Sequence, residues 1–174
     1  MNRVATSDAP TDLYLSRFGS FRRERDGREP VWLKTLREDG ISRFKEQGFP
    51  TSRDEAWRTT SLAGLSSTAF IPAECPVAAA AVTGRLGPYI FGSPDAVVAV
   101  FANGRFAPEL SSLDRIPEGV TVASLREILE SRPELVEPML GGNSLPQGHV
   151  FEALNTAFME DGAVIHLPEG LAVE

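Results

Sequence analysis

The 174-residue sequence predicts an α+β fold. Three stretches carry that prediction. Residues 30–48 hold a helical apolar stripe between a proline start and a glycine stop. Residues 96–107 hold a β-prone run, an Asn-Gly turn and a return strand. Residues 149–174 change period part-way, from helical spacing to alternation.

The elements follow in order. Residues 1–10 are polar and are expected to form a disordered tail. Asp12 suits the cap of a helix running through Tyr14, Leu15 and Phe18 to about Arg25, and Asp26-Gly27 turns the chain. Pro30 fits the first turn of the second helix, because its missing N–H would be unpaired there anyway. Leu33, Leu36, Gly40 or Ile41, and Phe44 make its buried stripe, with Trp32 on the border and Arg37 outside it. Gly48 sits where a left-handed residue ends a helix; Phe49 then packs back on Phe44, and Pro50 forbids continuation.

Ser52 and Glu55 match a capping box, and the short helix they open carries Trp57 inward. Residues 62–72 read as irregular, and the alanine-rich 77–86 as a helix. Residues 96–101 and Arg105-Phe106-Ala107 flank Asn103-Gly104, the signature of a type I′ hairpin, with Pro108 placing the return strand at an edge. Pro117-Glu118-Gly119 leads into a strand at Val120-Thr121-Val122. Ser124 and Glu127 form a second capping box, opening a helix with Leu125, Ile128 and Leu129 inward. Pro133 starts a further short helix, and residues 141–146 are a loop.

In the C-terminal helix Val150, Phe151, Leu154, Ala157 and Phe158 share one face. Asp161-Gly162 ends it, through the positive φ that Gly tolerates. A strand follows at Ala163–Leu167, then a turn at Pro168-Glu169-Gly170 and a short apolar run from Leu171 to Val173. Ala163, Ile165 and Leu167 should share one face of the strand, Val164 and His166 the other. No sequence remains after Glu174 to supply a partner strand. The expected substitutes are the 96–106 hairpin, a second copy of the chain, or disorder, so a homodimer stays open.

Composition excludes several functions. No apolar run approaches the ~20 residues of a membrane span, and the N-terminus has no secretory core. A single cysteine, Cys75, excludes an internal disulfide and fits a cytoplasmic address. Residues 1–60 hold 12 Lys+Arg and 10 Asp+Glu; the remainder holds 5 and 14, which argues against nucleic-acid binding. Arg22, Arg23, Arg25 and Arg28 alternate with Glu24, Asp26 and Glu29 and are expected to pair among themselves.

Candidate chemistry is sparse. Cys75, His149 and His166 lack zinc-ligand spacing, and Glu74 beside Cys75 disfavours a thiolate. No G-x-S-x-G, P-loop or G-x-G-x-x-G occurs; Gly84-Arg85-Leu86-Gly87 and Gly141-Gly142-Asn143 are spaced wrongly for phosphate. Glu134 and Glu137 fit a solvated acidic face. Trp32, Trp57, Phe44 and Phe49 could form an aromatic ligand platform, but their spacing favours core. Asp95, Ser144 and His149 meeting in a cleft would be the best support for a hydrolase-like enzyme. A generic cytosolic adaptor is the other alternative. No catalytic, cofactor-binding or metal-binding residue is assigned, and no cofactor is expected.

Four stretches in this order resemble the N-terminal part of the SufD branch of the SufB/SufD family of iron–sulfur cluster assembly scaffolds. They are 48–60 (GFPTSRDEAWRTT), 100–111 (VFANGRFAPELS), 119–125 (GVTVASL), and 151–158 (FEALNTAF) leading to 161–165 (DGAVI). The resemblance spans roughly residues 11–174. It implies an N-terminal α+β domain over 11–160 and, at 161–174, the first strands of a truncated parallel β-helix. It further implies a non-catalytic scaffold that acts in complex with SufB and the SufC ATPase. Family residues associated with the cluster lie in the core and C-terminal parts, so none is carried over to this chain.

Overall fold

A computed structural model of the chain describes residues 9–71, 84–89, 96–140 and 150–171. They fall into two compact units, one from Met1–Ile71 with Val136–Met159, the other from Pro72–Leu135 with Glu160–Glu174.

The first unit is helical. Helix α1 spans Ala9–Arg25 and α2 spans Val31–Gln47. Ala9 and Pro10 are thus helical rather than part of a tail, and Asp12 lies inside the first turn instead of capping it. Residues 1–8 lie outside the described residues. Pro30 occupies the cap position of α2, one residue earlier than expected, and its carbonyl accepts from Leu33 and Lys34 N–H. At the other end Gly48 has φ 65° and donates its N–H to the Phe44 carbonyl at 2.8 Å, closing the helix as its left-handed backbone predicts. Phe49 then meets Phe44 edge-on at 5.4 Å.

The expected capping box at Ser52 does not form. The Asp54 carboxylate reaches back to the Thr51 N–H at 2.7 Å, and no side chain caps the single 3-10 turn that follows, Glu55–Trp57. Trp57 is half-buried against Phe151 at 5.3 Å. Helix α3, Ala63–Ser67, lies within the stretch expected to be irregular.

The unit's last helix is built from the C-terminal part of the chain. To reach it, the labels follow chain order through the second unit. Strands β1 (Phe101–Ala102) and β2 (Arg105–Phe106) form the hairpin, with positive φ at both Asn103 and Gly104 as a type I′ turn requires. Pro108 opens a 3-10 turn, Pro108–Leu110, which ends the return strand. Upstream, Val98 bridges Ser112. Strand β3 is Thr121–Ser124, followed by α4 at Leu125–Ser131. Then come a 3-10 turn at Pro133–Leu135, α5 at Glu137–Leu140, α6 at Val150–Phe158 and β4 at Ala163–His166.

Helices α2 and α6 make the principal packing of the first unit. Gly40 permits it: a Cβ there would stand 2.8 Å from the Ala153 carbonyl oxygen and 3.1 Å from the Ala157 nitrogen. Phe18, Ile41, Phe44, Val150 and Ala157 are buried together, with Tyr14, Phe21, Phe49, Phe151, Leu154 and Phe158 packed around them. This agrees with the expected α2 stripe except at two places. Leu36 is only half-buried, and Arg37 is 5% exposed.

In the second unit β4 pairs antiparallel with β3, Val164 opposite Ala123 and Ile165 opposite Val122. A partner strand therefore comes from upstream in the same chain, a solution outside the three expected. The face assignment agrees: Val164 is buried, His166 half-buried, and Ala163, Ile165 and Leu167 exposed. Both pairings among the described strands are antiparallel, each sheet two-stranded. The alanine-rich stretch at 77–86 falls mostly outside the described residues; 84–86 is helical.

Candidate functional site

The densest polar arrangement lies where α6 hands over to β4. Asp161 was expected only to break the helix, with Gly162 turning the chain through positive φ. Gly162 is not among the positive-φ glycines. The Asp161 carboxylate fixes the bend instead. Its Oδ2 accepts the Phe106 N–H at 2.8 Å, which fastens the hairpin. Its Oδ1 accepts the Ser124 hydroxyl at 2.7 Å, the Gly162 N–H at 2.8 Å and the Arg126 N–H at 3.2 Å.

The same contacts explain why α4 starts at Leu125. The first N–H groups of a helix have no partner within it. Here Leu125 donates to the Gly162 carbonyl at 2.7 Å, Arg126 to Asp161, and Glu127 to the Ser124 hydroxyl at 3.3 Å. The expected Ser124 cap is present. Beside it Arg105 and Glu160 form an ion pair. Asp161, Ser124 and Arg105 thus tie together β2, β3, α4 and β4, segments separated by up to 55 residues.

Electrostatics follow from that arrangement. Burial pushes the Asp161 carboxyl upward, but the hydrogen bonds from Phe106, Ser124, Gly162 and Arg126 outweigh it and hold the group below its ordinary value. Three of the four donors meet Oδ1 and one meets Oδ2. These hydrogen bonds hold the hairpin, the start of α4 and the start of β4 to one carboxylate.

Among the described residues of the first unit, Arg37 is a comparable group. Arg37 donates from Nη1 to Glu29 at 2.6 Å and from Nη2 to the Met159 carbonyl at 2.7 Å, with its guanidinium 5.0 Å from the Phe21 ring. Burial lowers its pKa and Glu29 partly restores it. Sequence reasoning missed Arg37, although it stands four residues after Leu33 and four before Ile41, on the stripe itself.

Residues 93–174 match the family model for the SufBD protein N-terminal region. An iron–sulfur cluster assembly SufBD family protein of Synechocystis is 34% identical over 145 residues. The chain belongs to the SufB/SufD family. That alignment covers 75% of this chain and 30% of the Synechocystis protein, so the chain spans under a third of that relative's length. The SufBD match spans the Asp161 arrangement, and three of the four stretches that carry the resemblance contribute residues to it: Arg105 and Phe106, Ser124, and Asp161-Gly162.

The other sequence candidates are not drawn into a site. Cys75, Asp95, Ser144 and His149 lie outside the described residues, as do 141–143. His166 sits on β4 opposite Thr121. Among the described residues no group of three or more His, Cys, Asp or Glu could hold a metal. Glu134 and Glu137 are exposed. Phe44 is fully buried and Phe49 packs on it, so these two belong to the core; Trp32 and Trp57 are half-buried. Of the arginine cluster, Arg25 pairs with Glu24, whereas Arg22 reaches across to Glu38 on α2. Asp26 and Glu29 pair with Lys34 and Arg37 of α2 rather than with that cluster. Among the described residues no helix is long and apolar enough to cross a membrane.

Proposed function

We propose that the chain is the N-terminal region of a SufD-like subunit, a non-enzymatic scaffold that supports iron–sulfur cluster assembly in a cytoplasmic complex with SufB and the SufC ATPase. The observation that carries the reading is the placement of the family's motif residues. Arg105, Ser124 and Asp161 converge on one polar arrangement whose hydrogen bonds position the surrounding elements, which supports a structural role. The match to a family model and the name of the Synechocystis protein support cluster assembly as the process. On this reading the cluster is cargo handled by other parts of the assembly. The strand β4 leads toward a parallel β-helix in the parent protein, through which SufB would be met.

Affinity purification of the tagged full-length parent from its native host tests the reading. SufB and SufC recovered in stoichiometric amounts support it. Their absence, with other proteins recovered instead, favours a general adaptor. Reconstitution of this chain with iron and sulfide supplies a second test. A stoichiometric cluster that disappears in Cys75→Ala would overturn the claim that this region holds no cluster.

A further inference from the structure

We draw no further inference here: the strongest candidate, the exposed apolar patch that Leu65, Phe70 and Ile71 carry on the segment after Trp57, has nothing in the structure to show what covers it.

Discussion

The helical unit and the strand-bearing unit stabilise their polar chain crossings by different means. In the helical unit, long stripes on α2 and α6 supply a wide apolar face, and Phe44 and Leu33 are enclosed almost completely. Arg37 is added to a core that already exists. In the other unit the strands are two to four residues long and supply little apolar area. Val100, Ala107, Leu125, Ile128 and Val164 are buried there, and of these only Ile128 is both large and fully enclosed. Asp161 supplies what the strands lack, with a single carboxylate joining elements that could not hold one another by packing. Short strands with few buried side chains need such a tie, since a two-stranded ribbon alone is marginal in water.

This contrast can be broken from either side. The largest effect is expected for Phe44→Ala, which removes an enclosed ring from the helical unit and should cost about 3–5 kcal/mol. A denaturation midpoint unchanged from the parent would contradict it. Trp57→Ala should cost less, because Trp57 is half-buried and lies on a single 3-10 turn.

Asp161→Ala strips four donors of their acceptor and should cost roughly 3 kcal/mol, concentrated in the strand-bearing unit. The pH dependence has a defined direction. The folded carboxyl titrates below its unfolded value, so its contribution is present above about pH 4 and is lost as pH falls through the folded value. Acid titration followed by circular dichroism should show a flatter loss of structure in Asp161→Ala than in the parent. A parallel pair of curves would remove Asp161 from the account.

Gly40→Ala tests the helix crossing. Alanine favours an isolated helix by about 1 kcal/mol, yet its Cβ would meet the Ala153 carbonyl oxygen at 2.8 Å. Overpacking should win, with a net loss of roughly 1–2 kcal/mol. A rise in melting temperature would show that α6 yields easily. The smallest effect is expected for Ser124→Ala, about 1 kcal/mol for a lost cap, read from the same denaturation series.

The legible parts of the sequence were those decided locally. Gly48, Asn103-Gly104 and Ser124 set their own turns and caps, and each is found where neighbouring residues demand. Alternation along Ala163–His166 sorted the residues of β4 onto its two faces correctly. Partners distant in sequence were not legible. Nothing around Thr121 marks it as the mate of His166, because a strand's register is chosen by the sheet it joins. The capping box expected at Ser52 is replaced by a local turn in which the Asp54 carboxylate reaches back to the Thr51 N–H, one of several side-chain to backbone bonds such residues can make. Asp161 looked like a helix breaker because its four donors come from Phe106, Ser124, Arg126 and Gly162, three of them remote in sequence.

Hydrogen exchange on Asp161→Asn at neutral pH tests the contrast between the units most directly. The amide oxygen of Asn can retain the donors of Oδ1, while its NH2 then faces the Phe106 N–H, donor against donor. The prediction is that the Phe106 amide loses at least about tenfold protection, equivalent to about 1.4 kcal/mol, while amides of α2 and α6 exchange as in the parent. Equal loss in both units, or no loss at Phe106, would contradict the account.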